Sequence, residues 1–325
     1  MKSFNTRRFF VAVLSVSLMM LLLVSSMVLA TSEATPTYYF LGSSVTFGAR
    51  TEGVAFPEIL AKDNGWICVK EAVSGTTLVD NGETSYIQRM INNIDPSVQM
   101  DHLIVQLSTN DALIANNFPL GAVSSSKNLA DFDTSTIIGA IEYIIAYADQ
   151  TWHCPVTFFA NPKYNNKPYA NMIAALYEVQ AKWQIGIIDF FYYKNMAPLD
   201  DITLKTYMGD SVHPVAEGYQ WMASVMGDYL IAYDVVAAIN TLPETITLEN
   251  EAAIRAANAD YAALTDSQKL NVNADQIAKL TAAEATIVKL NDKTGTYLLF
   301  GGLALVILAA IAAGLIVAKK RQMKK

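Results

Sequence analysis

Between Thr37 and about Tyr233 the sequence alternates short apolar runs with longer stretches in which apolar residues recur at helical spacing, and few folds accept that pattern. The apolar runs are Tyr38 to Leu41, Trp66 to Val73, Leu103 to Leu107, Val156 to Ala160 and Ile185 to Phe191. Each reads as a short buried strand. Helical stretches lie around Pro57 to Lys62, Tyr86 to Ile94, Thr134 to Ala148, Tyr169 to Trp183 and Pro214 to Tyr233. Such alternation predicts an α/β fold, a five-stranded parallel sheet with helices on both faces. All strands of that sheet point the same way, so the loops after strands one, two, three and five share one edge with the start of the last helix. Chemistry is to be sought in those loops.

The first run breaks into Gly42-Ser43-Ser44-Val45-Thr46-Phe47-Gly48, small polar residues at the carboxyl end of a strand, with Ser44 as the candidate reactive group. After the second run comes Ser74-Gly75-Thr76-Thr77, where Gly75 either lets the backbone approach a ligand closely or serves only as a turn residue. The third run ends in Ser108-Thr109-Asn110-Asp111, and Asn110 reads equally as a ligand-facing amide or as a turn or cap residue. After the fifth run and an aromatic stretch comes Gly209-Asp210-Ser211-Val212-His213-Pro214. The chain has three histidines; His102 and His153 lie where strands begin, and His213 alone falls on the active edge. A carboxylate three residues before a histidine in one loop can reach the ring nitrogen that faces away from a nucleophile and fix its tautomer. The alternative is that Asp210 and His213 merely cap the final helix. Metal binding is a poorer reading, because no other His or Cys gathers at that edge.

Taken together, the four loops resemble the blocks of the SGNH, or GDSL-like, hydrolase family, over roughly residues 37 to 233. The first block matches Gly42 to Gly48, the second Gly75, the third Asn110-Asp111 and the last Asp210 to His213. Two positions depart from the family pattern. Ser43 stands where the Gly-Asp-Ser signature has Asp, and Ser108 stands where the family has Gly two residues before the Asn. Neither is a member of the triad, so the departures bear on subfamily and substrate more than on chemistry. The resemblance implies a flavodoxin-like three-layer α/β/α sandwich and a serine esterase without metal or organic cofactor. It further implies a triad of Ser44, His213 and Asp210, and an oxyanion hole made by the backbone N–H groups of Ser44 and Gly75 with the side-chain amide of Asn110. The aromatics Phe47, Phe118, Tyr192, Tyr193 and Tyr207 near the active edge are candidates to stack on sugars or line an acyl pocket.

The two ends of the chain carry different information. Residues 1–30 have a basic start (Lys2, Arg7, Arg8), an apolar stretch and small residues up to Ala30, the build of a secretory signal peptide. Residues 297–318 form an uncharged apolar run long enough to cross a bilayer as one transmembrane helix, followed by the basic residues of 319–325. The expected topology is a plasma-membrane anchor with a cytoplasmic tail and the remainder on the outer face of a Gram-positive-like cell. Asn291-Asp292-Lys293-Thr294-Gly295 is similar to a sorting signal with its Pro replaced, so cleavage between Thr294 and Gly295 with transfer to the cell wall is the alternative. Of the net charge of −7, the signal segment contributes +3 and the tail +5, which leaves −15 between them. That surplus disfavours nucleic-acid partners. Cys68 and Cys154 read as core thiols, since the expected strand order keeps them apart.

The hydrolase domain is expected over 31–234. Beyond it, residues 235–291 become Ala-rich with helical spacing in Val235 to Leu242, Leu248 to Leu264, Thr265 to Leu270 and Asn273 to Leu290. Thr265/Gln268 and Asn273/Gln276 are spaced as capping boxes. A small helical bundle is predicted, serving as a spacer or, alternatively, in cell-wall or sugar contact. The expected function is a membrane-anchored serine esterase acting on a small-molecule or polysaccharide ester, by deacylating carbohydrate or other small esters. An acyltransferase with the same nucleophile and a catalytically idle binding protein are the alternatives.

Overall fold

The computed structural model describes residues 34–113 and 115–293. The segments read as signal peptide, transmembrane helix and basic tail, and the Thr294-Gly295 junction, lie outside the described residues. Five strands form one sheet: β1 (Thr37–Gly42), β2 (Ile67–Ala72), β3 (His102–Gln106), β4 (Val156–Ala160) and β5 (Gly186–Asp189). Their order is β2-β1-β3-β4-β5 and every pairing is parallel. The central strands β3 and β4 are buried along their whole length, which explains why their sequences are continuous apolar runs rather than alternating ones.

Period-two geometry sorts the strand side chains onto two cores. Leu41, Leu103, Val105, Val156 and Phe158 face one, and Tyr38, Phe40, Ile104, Phe159 and Ile188 face the other. Helices α3 (Tyr86–Asn93), α4 (Ile137–Thr151) and α5 (Lys167–Trp183) cover the first face with Tyr86, Met90, Ile141, Ile144, Met172 and Leu176. The second face is covered by α2 (Phe56–Asn64) and α7 (Ala216–Thr241) through Phe56, Leu60, Tyr219, Met222 and Met226. Phe56 meets Phe159 edge-on at 5.1 Å. Each such buried side chain contributes roughly 1.5–3 kcal/mol against the entropy of ordering the chain. The result is the expected three-layer α/β/α arrangement.

Two short helices have no counterpart in the sequence reading: α1 (Ser44–Phe47), directly after β1, and α6 (Asp201–Tyr207). At four and seven residues they are too short to show a periodic signal. The stretches expected to end at Tyr233 and to restart at Val235 are one continuous helix, α7. No Gly or Pro interrupts Tyr233-Asp234-Val235, so a change of composition there does not break the hydrogen-bond ladder. The amino-terminal half of α7 packs on the sheet, and its later residues Ala232, Val235 and Ile239 enter a third core with Ile254, Leu264, Leu280 and Ile287. Among the described residues α7 is the one helix that is long and apolar enough to cross a membrane by length and composition. Its apolar residues are those just placed in two cores.

The helices of that third core beside α7 are α8 (Glu251–Ala263) and the helical residues 274–293, α10, with the short α9 (Asp266–Lys269) between them burying no side chain. Both expected capping boxes form. Thr265 N donates to Gln268 Oε1 at 2.9 Å, and Gln268 N donates to Thr265 Oγ1 at 3.3 Å. Asn273 N and Gln276 Oε1, and Gln276 N and Asn273 Oδ1, are each paired at 2.9 Å. Cys68 on β2 and Cys154 just before β4 are free thiols, with β1 and β3 lying between their strands.

His102, the first residue of β3, is buried with its Nε2 2.7 Å from Thr157 Oγ1 and its ring edge-on to Tyr233. Burial pushes its pKa down to about 3. An unfolded histidine takes up a proton near pH 6.5. As pH falls below that value the unfolded chain gains a proton that the folded chain refuses, and stability is lost progressively down to the folded pKa. His102→Gln should therefore lose less stability than the wild type between pH 6.5 and 4.5. Denaturant unfolding at a series of pH values measures this, and equal slopes for the two proteins would contradict it.

Candidate active site

The strand order reverses at β1, which is followed in the chain by β2 on one side and then β3 on the other. In open parallel sheets this leaves a crevice beyond the carboxyl ends of the strands that flank the reversal. The loops carrying Ser44, Gly75 and Asn110 follow β1, β2 and β3 respectively.

Ser44 is the first residue of α1 and is 7% exposed. Its position is fixed from below by Gln106 at the end of β3, whose Oε1 accepts from Ser43 N at 3.0 Å, Thr46 N at 3.2 Å and Thr46 Oγ1 at 2.9 Å. This tight turn dictates a glycine at 42, because a Cβ there would lie 1.9 Å from Thr46 Oγ1 and 2.4 Å from Thr46 Cβ. Ser43, where the family signature has Asp, is fully buried.

His213 Nε2 lies 2.8 Å from Ser44 Oγ, a contact between residues 169 positions apart. Its Nδ1 lies 3.0 Å from Asp210 Oδ2 and 3.1 Å from Oδ1. A carboxylate only accepts, so this contact puts the ring proton on Nδ1 and leaves Nε2 as an acceptor facing Ser44. Asp210 Oδ1 also accepts from the backbone N–H groups of Val212 and His213, both at 2.8 Å. The Asp210–His213 spacing of three therefore makes a self-supporting loop rather than a cap for α7, whose N-cap residue is Val215. An antiparallel bridge between Met208 and Pro214 closes the base of that loop.

Asp210 has a further partner that sequence reading missed. Arg50 donates to its Oδ2 from Nη2 at 2.7 Å and from Nε at 3.2 Å. Burial alone would raise the Asp210 pKa, but the N–H groups of His213 and Val212, with Arg50, outweigh it and hold the carboxyl well below the usual carboxylate range. The group is charged wherever the protein is folded near neutral pH.

Gly75 has φ +82°, a left-handed conformation that favours glycine, and a Cβ there would meet nothing within 4 Å. The open space is compatible with the close ligand approach considered for this residue. The side-chain amide of Asn110 donates to Thr76 O at 2.9 Å. An amide nitrogen carries two N–H groups, so this bond fixes the amide plane while using only one of them. Asp111 secures the same pair of loops, accepting from Leu78 N at 2.9 Å and Val79 N at 3.0 Å. Its burial pushes the pKa up to about 6 against those hydrogen bonds. Of the aromatics singled out in the sequence, Phe47 and Tyr192 are exposed, Phe118 packs against the core and Tyr207 lies against Trp221.

The sheet is parallel throughout in the order β2-β1-β3-β4-β5, and a serine, a histidine and an aspartate converge at its carboxyl edge. The family model for GDSL-like lipases and acylhydrolases matches residues 40–221, over half of the chain, and the protein belongs to that family. Among solved structures, a protein from Lactobacillus plantarum is 18% identical with a TM-score of 0.50, over 61% of this chain and 97% of that one. A family two carbohydrate esterase from Clostridium thermocellum, solved with cellohexaose, is 16% identical with a TM-score of 0.44, over 59% of this chain and 62% of that one. At 18% identity the Lactobacillus plantarum likeness speaks to the fold alone. No curated protein matches the chain.

Proposed function

We propose that this protein is an extracellular, membrane-anchored serine ester hydrolase that deacylates carbohydrate or other small esters. The observation that carries the proposal is the continuous hydrogen-bonded line from Ser44 Oγ through the His213 ring to a charged Asp210. In this reading Ser44 Oγ attacks the ester carbonyl carbon while His213 Nε2 takes the hydroxyl proton. Asp210 stabilises the imidazolium that forms. Negative charge on the carbonyl oxygen is met by the N–H groups of Ser44 and Gly75 and by the second N–H of the Asn110 amide. Collapse of the intermediate breaks the bond to the alcohol, which leaves with the proton from His213. Water then repeats the sequence on the acyl-enzyme, releasing the acid and restoring Ser44. The exposed Phe47 and Tyr192 suit a face that meets a sugar ring or an apolar acyl group.

The chemistry is tested by covalent labelling. A fluorophosphonate should label the wild-type chain at Ser44, and Ser44→Ala or His213→Ala should lower turnover of an activated short-chain ester by roughly three orders of magnitude or more. Near-normal turnover in either variant would remove the triad. A screen of acetylated sugars against longer acyl esters then identifies the substrate class.

The location rests on the ends of the chain: a basic, then apolar, start, and an apolar run at 297–318 followed by five basic residues. Protease added to intact cells should release the catalytic domain and spare the tail at 319–325. Recovery of the enzyme covalently joined to wall fragments, cut after Thr294, would replace the membrane anchor by wall sorting.

A further inference from the structure

Helix α3 directs one arginine, Arg89, into the interior, where its side chain is 4% exposed. A guanidinium carries five N–H groups in a rigid plane, and a buried one left unmatched is costly. Arg89 has an acceptor for each. Nε donates to Thr84 O at 3.0 Å. Nη1 donates to Glu71 O at 2.9 Å and to Glu71 Oε1 at 3.0 Å. Nη2 donates to Gly42 O at 2.8 Å and to Thr76 Oγ1 at 3.2 Å. Glu71 supplies the compensating charge and ties the helix to the end of β2, which would be enough if the arginine served only the fold.

The Nη2 pair does something else. Gly42 lies two residues before Ser44, and Thr76 directly follows Gly75. The Thr76 hydroxyl donates to Val73 O at 2.7 Å, closing the Gly75 turn, and the Thr76 carbonyl accepts the Asn110 amide at 2.9 Å. The three groups assigned to the oxyanion hole come from three separate loops, and each loop is referred to this one guanidinium either directly or through Thr76. A hole of this kind works only when its donors converge on one point before charge develops.

We propose that Arg89 is the positioning residue of the oxyanion hole. It sets the distance between the nucleophile turn and the Gly75 turn, and through Thr76 the direction of the Asn110 amide. The inference rests on the serine hydrolase reading. Lysine at this position would keep the charge but could not reproduce the planar fork.

The test uses the full chain, with active sites counted by complete fluorophosphonate labelling so that unfolded protein does not enter the rate. Arg89→Lys should lower kcat per labelled site by about 30-fold or more with KM within about twofold. The rate of labelling should fall in parallel, because phosphonylation places charge in the same hole. Thr76→Val, which keeps the Arg89–Glu71 ion pair and removes only the hydroxyl, should lower kcat by about tenfold with the same split. Combining Arg89→Lys with Asn110→Ala should fall well short of the product of the two single effects. Turnover per labelled site within about threefold of wild type in Arg89→Lys, or fully multiplicative effects in the double variant, would overturn the positioning role. If Arg89→Lys does not fold, unchanged kcat in Thr76→Val overturns it alone. Absence of labelling in the wild-type chain would instead strike the hydrolase reading itself.

Discussion

Parallel pairing of β1 with both of its neighbours is the constraint on which the site depends. Because β2, β1 and β3 run the same way, the chain leaves all three strands at one edge, and the residues that follow them are neighbours despite wide separation in sequence. A helix cannot fill the point where the strand order reverses, since the connections on either side diverge to opposite faces. The turns after β1, β2 and β3 meet there instead, and the return of the chain into α7 brings His213 to the same place. The two cores on the faces of the sheet hold this edge rigid, which suits a site whose function depends on fixed distances.

Electrostatics at the edge follow one scheme. A buried or half-buried polar group is tolerated when it finds partners, and several groups at this edge take theirs from a neighbouring loop. Gln106 satisfies three donors of the Ser44 turn with one oxygen, Asp111 takes two backbone N–H groups of the loop after Gly75, and Asp210 takes two from its own loop before it meets the His213 ring. Each carboxylate or amide is therefore oriented by backbone, and the side chain it presents to the site inherits that orientation. Arg50 and Arg89 complete the scheme from opposite ends, one stabilising the charge of Asp210 behind the histidine and the other joining the Ser44 and Gly75 turns.

The strands and the four polar loops were legible because burial on both faces makes a strand a continuous apolar run, and its abrupt end marks the edge. The pairing of Asp210 with His213 was legible for the same local reason, a spacing of three in one loop. Arg50, Gln106 and Arg89 were not, because each acts on a residue far away, at separations of 160, 63 and 47 positions. Gln106 stands out as a polar residue inside an apolar run, but its partners at Ser43 and Thr46 lie in another loop, and Arg50 and Arg89 sit among other polar residues that do not mark their distant partners. The continuity of α7 was missed for a different reason. Composition changed at Tyr233 while helix propensity did not, and a helix can be shared by two cores as long as no residue breaks its ladder.

In the proposed reading the three loops form one preorganised site for an acyl transition state. It is tested most directly by a crystal structure of the protein after reaction with a phosphonate ester, whose tetrahedral phosphorus mimics that state. The expected adduct has a bond from Ser44 Oγ to phosphorus, and one phosphonyl oxygen within about 3 Å of Ser44 N, Gly75 N and Asn110 Nδ2. The Asn110 bond to Thr76 O should be retained. An adduct on another residue, or a phosphonyl oxygen directed to solvent with Asn110 turned away, would contradict it.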